Sequence, residues 1–150
     1  MGVRRKARER ALQALFFADM CRYDAREALA LFCTHFKPAE PILSFFTELT
    51  DGVVQHRRSI DKIIERFSKH WKLGRMGCVD RNILRLAVFE MLSCPDIPAK
   101  VSINEAIEIG KKFGTEESGA FINGILDSVR LALETEHLKL ENTDASEKIT

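Results

Sequence analysis

The chain has few of the residues that interrupt helices and few of those that favour strands. Its 150 residues include only 8 glycines and 4 prolines, and runs of β-branched residues are rare. Alanine, leucine, glutamate, lysine and arginine dominate instead, and these residues have a high propensity for helix. A chain of this length with 45% hydrophobic residues suits one globular domain with its own core. The composition therefore predicts an all-α fold.

Cysteine and histidine are also scarce, and their positions exclude several kinds of site. The four cysteines form no C-x-x-C motif, and no pair of histidines has zinc-ligand spacing. This pattern predicts reduced thiols, no metal and no cofactor. Gly110-Lys111-Lys112 lacks the upstream glycine and the hydroxyl residue of a phosphate-binding loop, and no serine or cysteine lies in a nucleophile motif. The sequence therefore predicts a protein that is not an enzyme.

Long uncharged runs are absent as well. No apolar stretch approaches the roughly 18 residues of a membrane-spanning helix, and the first residues are charged, unlike those of a signal peptide. We therefore expect a cytoplasmic protein without a membrane segment. The net charge is only +1, but residues 1–10 carry five basic side chains against one acid, whereas residues 134–150 carry five acids against two lysines.

The spacing of apolar residues divides the chain into seven predicted helices. Gly74 and Gly77 flank a connection between an amino-terminal and a carboxyl-terminal group, which predicts two helical subdomains on a shared core. Pro38 and Pro41 are expected to separate the second helix from the third, and Pro95 and Pro98 the fifth from the sixth. The predicted helices cover about 4–21, 25–36 with Asp24 as the N-cap, 42–54, 59–71, 80–92, 102–113 and 115–136.

The sequence also predicts how the sixth helix begins and ends and where the folded domain stops. Ser102 and Glu105 have the spacing of a capping box, which would start the sixth helix. Gly114 is predicted to end that helix in the left-handed conformation, and Asn104 to make a buried hydrogen bond between helices. The residues that follow Glu136 are polar, so we expect a domain over 1–136 and a tail over 137–150 without fixed structure.

The basic residues at the start of the first helix lie where the helix dipole is already positive. Each cation there is unfavourable by roughly 0.3 to 1 kcal/mol. A polyanion would compensate this charge, because phosphates that bind the cations release counterions. On a helical wheel Arg4 and Arg8 share one flank of the apolar stripe, whereas Lys6 and Arg10 lie on the other side. Only part of the cluster can therefore face one ligand, and a solvated helix end is the alternative.

The region from Val79 to Leu126 combines many specific residue choices. It contains a D-R-x-I-L-R-L-A-x-x-E-x-L helix, then D-I-P, then V-x-I-N-E-A-x-E-x-x-K-x-F-G, then S-x-x-F-x-N-G-x-L. The chain also begins with R-R-x-A-R-x-x-A-L-Q-A-L from Arg4 to Leu15. These patterns resemble the NusB family of bacterial transcription antitermination factors.

The resemblance implies a seven-helix fold and a protein that binds single-stranded boxA RNA of ribosomal RNA transcripts. It implies that this binding occurs together with NusE, a small-subunit ribosomal protein, and that the pair joins the RNA polymerase elongation complex. It places NusE near Asp80, which could instead belong to a solvated helix face. It places RNA contacts on Arg4, Arg5, Lys6, Arg8, Gln13, Lys111, Lys112 and Phe121. From spacing alone, Phe121 fits the core as well, and the two lysines fit the negative end of a helix dipole.

Two alternatives to this interpretation remain. The same fold resembles the amino-terminal part of some ribosomal RNA cytosine methyltransferases, but 150 residues leave no room for a methyl-donor domain. A protein-only interaction module, or a homodimer that hides its RNA surface, is the second alternative. Gly119 and Ala120 also stand where many family members carry a bulky polar or basic residue, which predicts weaker RNA binding.

Overall fold

The computed structural model describes residues 2–21, 24–69 and 71–141 of the chain. Over these residues it contains seven α-helices, one short 3₁₀ helix and no strand. The helices are α1 Val3–Met20, α2 Ala25–His35, α3 Glu40–Gln55, α4 Arg57–Phe67, α5 Cys78–Ser93, α6 Ala99–Phe113 and α7 Ser118–Glu136, and the 3₁₀ helix is Leu73–Arg75. The predicted all-α fold with seven helices is therefore confirmed.

Helix α5 lies at the centre of the fold and contacts α1, α3, α4, α6 and α7. Every residue from Asn82 to Met91 is buried, so this part of the helix has no solvent-exposed face. One hydrophobic cluster, with residues from all seven helices, surrounds it. The amino-terminal and carboxyl-terminal groups of helices therefore share a single core.

Helix α1 lies antiparallel to α5, and ion pairs join the two helices at both ends. Arg8, near the start of α1, pairs with Glu90 near the end of α5. Asp19, near the end of α1, pairs with Arg81 in the first turn of α5. Because the two pairs are separated by about three turns of helix, they determine both the direction of α1 and the rotation about its axis.

The carboxylate of Asp19 is the centre of a polar cluster between α1, α4 and α5. Its Oδ2 accepts hydrogen bonds from Arg81 Nε at 2.6 Å, Asn82 Nδ2 at 2.9 Å and Arg85 Nη1 at 3.3 Å. Arg85 also donates through Nε and Nη2 to both carboxylate oxygens of Asp61, at 2.8 and 3.2 Å. Burial raises the pKa of Asp19, but these hydrogen bonds and charges outweigh it and lower that pKa to about 2.

Helix α6 begins at Ala99, three residues before the predicted capping box. Pro98 precedes the helix with a φ of −58°, and its missing N–H removes no hydrogen bond at that position. Ser102 and Glu105 consequently lie within α6, and their side chains bond to residues of other helices. The predicted capping box is therefore wrong, and Asn104, which was predicted to be buried, is exposed.

The turn between α6 and α7 also differs from its prediction. Gly114 has a φ of −99° and not the left-handed value, and α7 begins at Ser118 instead of Thr115. A Cβ at Gly114 would lie 2.3 Å from Ser118 Oγ. That hydroxyl accepts from the Thr115 N–H at 2.8 Å and donates to Asp80 Oδ1 at 2.7 Å. Glycine is required here for the close approach of the two helices, and not for its freedom in φ.

Residues 137–141, which follow α7, belong to the folded body. Leu138 and Leu140 pack against the core. The Glu141 carbonyl accepts a hydrogen bond from the His56 ring Nδ1 at 3.0 Å. The rest of the predicted tail, residues 142–150, lies outside the described residues, and its lack of structure stays a prediction.

Gly52 lies inside α3, and the prediction that this helix continues through Asp51-Gly52 is confirmed. A Cβ at Gly52 would lie 2.1 Å from Phe89 Cζ, which no real structure tolerates without movement. Helix α3 therefore packs directly on the Phe89 ring of α5. Here glycine provides space for a neighbouring side chain within a regular helix.

We expect Gly52→Ala to lower the free energy of unfolding by about 1 to 3 kcal/mol, because the added methyl group displaces the buried Phe89 ring. Gly124→Ala is the matched control, since Gly124 also lies in a helix and has no atom within 4 Å of its Cβ position. The control should be neutral or stabilising. Urea denaturation of both variants measures the difference, and equal stability would contradict the close packing of α3 on α5.

Asp19→Asn should remove a pH-dependent part of the stability. The pKa of Asp19 falls from its ordinary value of 3.8 to about 2 on folding. The lowered pKa stabilises the folded state fully above about pH 4, and this contribution is lost as the pH falls through about 2. The shift corresponds to on the order of 2 kcal/mol. Unfolding free energies of both proteins at pH 7, 4 and 2.5 should converge at the lowest pH, and a constant difference would contradict this pKa.

Candidate nucleic-acid interface

Arg8 lies inside the protein and is only 4% exposed. Its Nε and Nη2 donate to the two carboxylate oxygens of Glu90, both at 2.8 Å, and its Nη1 donates to Glu105 at 3.2 Å. Glu90 is 2% exposed and also accepts from Ser102 Oγ at 3.1 Å. A guanidinium group held by two carboxylates inside the protein is not accessible to a phosphate. The predicted RNA contact of Arg8 is therefore corrected to a structural role.

The inward position of Arg8 determines which residues of α1 face solvent. Successive residues rotate by about 100° around a helix, so Lys6, Arg10 and Gln13 lie on the side opposite Arg8. All three are exposed. Arg10 Nη1 donates to Gln13 Oε1 at 3.0 Å, and Lys6 forms no ion pair within the part of the chain that the structure describes. We call these three residues the open face of α1.

The flank of α1 beside α6 carries ion pairs between the two helices. Arg5 donates through Nε and Nη2 to both carboxylate oxygens of Glu105. Lys112 Nζ donates to both carboxylate oxygens of Glu9, at 3.1 and 3.2 Å. The groove between the helices, which we call the α1–α6 groove, is lined by Arg5, Glu9, Glu108, Ile109, Lys111 and Lys112.

The cations of the α1–α6 groove are largely compensated by the protein itself. Three cations and two carboxylates line the groove, and Glu105 lies beneath it. The hydrogen bond from Arg5, together with the charges of Arg5 and Arg8, lowers the pKa of Glu105 against the effect of burial. The helix dipole alone predicts that an external polyanion must compensate the cations at the start of α1. Glu9 and Glu105 already supply part of this compensation. The sequence shows these two acids, but they can be recognised as partners of Arg5 and Lys112 only once α6 is known to lie beside α1.

The remaining predicted RNA residues lie at the edges of this surface. Arg4 pairs with Asp96 at 3.0 Å, and its guanidinium carbon lies 5.6 Å from the centre of the Phe45 ring. Phe121 is half-buried and packs against the core. The exposed aromatic side chain beside the lysines is Phe113, whose ring centre lies 5.2 Å from Lys112 Nζ. RNA contact by Arg4 and Phe121 stays a prediction.

Asp80 lies at the opposite end of α5 from Glu90. It is half-buried, and its Oδ1 accepts from Ser118. Phe16 and Met20 lie on the last two turns of α1, the helix whose Asp19 contacts the first turn of α5. Met20 is 63% exposed and Phe16 is partly exposed. The start of α5 therefore presents an oriented carboxylate, and the end of α1 presents an exposed apolar pair.

The part of the chain that the structure describes contains no group of three or more His, Cys, Asp or Glu side chains that could hold a metal ion. All four cysteines are free. None of the helices described is both long enough and apolar enough to cross a lipid bilayer.

The sequence profile of the NusB family matches residues 5–130. The chain belongs to the NusB family. Transcription antitermination protein NusB of Desulfatibacillum aliphaticivorans is 56% identical over 133 residues, which is 89% of this chain and 93% of that protein. The family assignment confirms the resemblance predicted from the sequence. As a member of this family, the chain acts by binding and not by catalysis.

Two solved NusB structures share the fold. NusB of T. maritima superposes with a TM-score of 0.78 and 37% identity over 90% of this chain and 97% of the other. A NusB in complex with NusE and double-stranded RNA superposes with a TM-score of 0.75 and 28% identity over 87% of this chain and 97% of the other. The arrangement of the seven helices is therefore that of NusB proteins.

Arg8→Met should lower the free energy of unfolding by about 3 to 5 kcal/mol, because it leaves the carboxylate of Glu90 buried without its partner. Lys6→Met is the matched control, since it removes the same charge from the open face of α1 and should change stability by less than about 0.5 kcal/mol. Denaturant titrations compare the two. A stable Arg8→Met protein that has lost only RNA binding would contradict the inward position of Arg8.

Proposed function

We propose that this NusB family member binds boxA-type RNA of ribosomal RNA transcripts together with NusE, and that the assembly joins elongating RNA polymerase to suppress premature termination. The open face of α1 supports this proposal most directly, because it presents Lys6 and Arg10 without carboxylate partners among the described residues. The complex that a NusB relative of this fold forms with NusE and RNA supports the choice of partners. With these partners, we expect the chain to act in the bacterial cytoplasm.

The proposed RNA path runs from the open face of α1 onto the α1–α6 groove. Phosphates would bind Lys6 and Arg10 first, since these cations lose no intramolecular ion pair. Lys112 is less available, because a phosphate must displace Glu9 from it. RNA binding by this chain alone is consequently weak and depends strongly on salt, with a slope of about −0.7 per phosphate contact for a single strand.

NusE is proposed to dock at the start of α5. The exposed pair Phe16 and Met20 supplies an apolar contact of the kind that marks protein interfaces. Asp80 lies at the start of α5, and the hydrogen bond from Ser118 fixes the orientation of its carboxylate. An apolar centre with one oriented charge favours a protein partner over a nucleic acid.

Both proposed partners contact α1, and this provides the mechanism. The RNA residues occupy the first two thirds of the helix and the apolar pair its last turns. An 18-residue helix is about 27 Å long, so the two partners lie side by side on one rigid element. Binding of one partner then raises the effective concentration of the other. The contact with RNA polymerase is proposed to follow from this assembly.

Glu9→Gln should strengthen RNA binding by roughly two- to fivefold, the range for one surface ion pair, because it frees Lys112 and removes a negative charge from the groove. Lys6→Gln combined with Arg10→Gln should weaken binding and make it less dependent on salt. Fluorescence anisotropy of a labelled single-stranded boxA RNA at two salt concentrations, with and without NusE, measures both effects.

Two outcomes of this experiment would count against the proposal. Unchanged affinity in the double variant would remove the open face of α1 from the RNA site. An absence of binding even with NusE would favour a protein-only module. The homodimer alternative is tested by sedimentation, since a dimer that persists at saturating RNA does not hide the RNA surface.

A further inference from the structure

A second basic and aromatic surface lies in the segment between α4 and α5. It consists of Lys69, Trp71, Lys72 and Arg75, which line one open cleft with Glu65 and Ser68. We propose that these four residues, the Trp71 patch, bind single-stranded RNA by stacking a base on the indole ring. This contact is separate from the open face of α1 and needs no NusE.

Among the described residues, the cations of the Trp71 patch are not neutralised by ion pairs, unlike those of the α1–α6 groove. Lys69, Lys72 and Arg75 are exposed, and none of them forms an ion pair with another residue that the structure describes. Glu65 is the one acid of the cleft, and its Oε2 accepts a hydrogen bond from the Leu73 N–H at 3.2 Å. A polyanion would therefore gain attraction here without displacing an existing ion pair.

The backbone holds Trp71 in place while its ring stays outside. Helix α4 was predicted to reach Trp71 but ends at Phe67, so the ring lies in a loop and is 51% exposed. The buried Ser68 fixes this loop, since its Oγ donates to the Trp71 carbonyl at 2.6 Å and its carbonyl accepts from the Trp71 N–H at 3.1 Å. Leu73, on the other side, is buried in the core. An aromatic ring held outward in advance loses little conformational entropy when a base stacks on it.

The combination of residues favours a single-stranded nucleic acid over a protein. Every base offers a flat face to an exposed indole ring, and stacking of this kind is independent of sequence. Lys69, Lys72 and Arg75 line the same cleft as the ring, so the phosphates near a stacked base would meet a cation. Duplex RNA would not fit, because its bases are already stacked on one another.

The Trp71 patch and the open face of α1 lie near opposite ends of α5. The patch precedes the first turn of α5, whereas the start of α1 lies beside Glu90. Cys78 and Glu90 are about 18 Å apart along α5. The patch would therefore hold a different stretch of a longer transcript.

The patch can be tested directly, because Trp71 is the one tryptophan of the chain. Oligouridylate of roughly eight nucleotides, added to the full chain without NusE, should quench the tryptophan fluorescence in a saturable and salt-dependent manner. The triple variant Lys69→Gln, Lys72→Gln and Arg75→Gln should lose affinity on the order of tenfold and reduce the salt slope by about 0.7 for each lost contact. The matched variant Lys6→Gln with Arg10→Gln should keep the quenching.

Two further variants separate stacking from charge. In anisotropy measurements with labelled oligouridylate and the Lys6→Gln, Arg10→Gln background, Trp71→Leu should lose on the order of tenfold in affinity, whereas Trp71→Phe should retain most of it. Circular dichroism confirms that each variant is folded.

Three outcomes would overturn the proposal. One is an absence of quenching although labelled RNA binds the chain. Another is a wrong response of the variants, which means quenching that survives in the triple variant or that disappears in the Lys6 and Arg10 variant. Equal quenching by oligoglutamate is the third, since it would indicate an acidic protein partner. None of these results removes the open face of α1 from the proposed RNA site, so failure of the patch and failure of the proposed function are distinguishable.

Discussion

The burial of α5 on all sides is the constraint on which the rest of the structure depends. A helix without a solvent face must satisfy its polar side chains inside the protein, and α5 carries Asn82, Arg85 and Glu90 in its buried part. Helix α1 supplies partners for them at both ends, Asp19 at one and Arg8 at the other. Sliding or rotation of α1 would leave at least one charge buried without a partner. The residues of the open face of α1 are therefore exposed because α1 must turn Arg8 and Asp19 towards the buried polar side chains of α5.

Periodicity and composition predict the helices well, because apolar spacing reports directly on the buried face of each helix. They fail where a polar residue has a partner on another helix. Arg8 has the charge and position of an RNA-binding residue, and only the place of Glu90 in the fold shows that it points inward. Glu105 likewise matches a local capping pattern, but α6 starts earlier and the carboxylate of Glu105 binds Arg5. Local patterns cannot identify a partner that is about a hundred residues away along the chain.

The α1–α6 groove and the Trp71 patch differ in whether their cations form ion pairs with carboxylates of the chain. In the α1–α6 groove, Arg5 and Lys112 already form ion pairs with carboxylates of the chain. An incoming phosphate therefore replaces one ion pair by another and gains little binding free energy. The Trp71 patch has no such competitors among the described residues except Glu65, whose carboxylate binds a backbone amide. The first surface therefore favours ligands that another protein helps to hold in place. The second favours any single strand that reaches it, with little dependence on sequence.

Coupling between RNA and NusE needs no change of shape in this fold. If both partners contact α1, and α1 is held by ion pairs at each end, then neither partner can move the helix without breaking a buried pair. The coupling must then arise from proximity alone, since each bound partner restricts where the other can diffuse. A rigid α1 also keeps the RNA residues in one register relative to NusE, so that only an RNA that fits both surfaces at once gains the full effect. The ion pairs that stabilise the core would in this way also contribute to the choice of RNA.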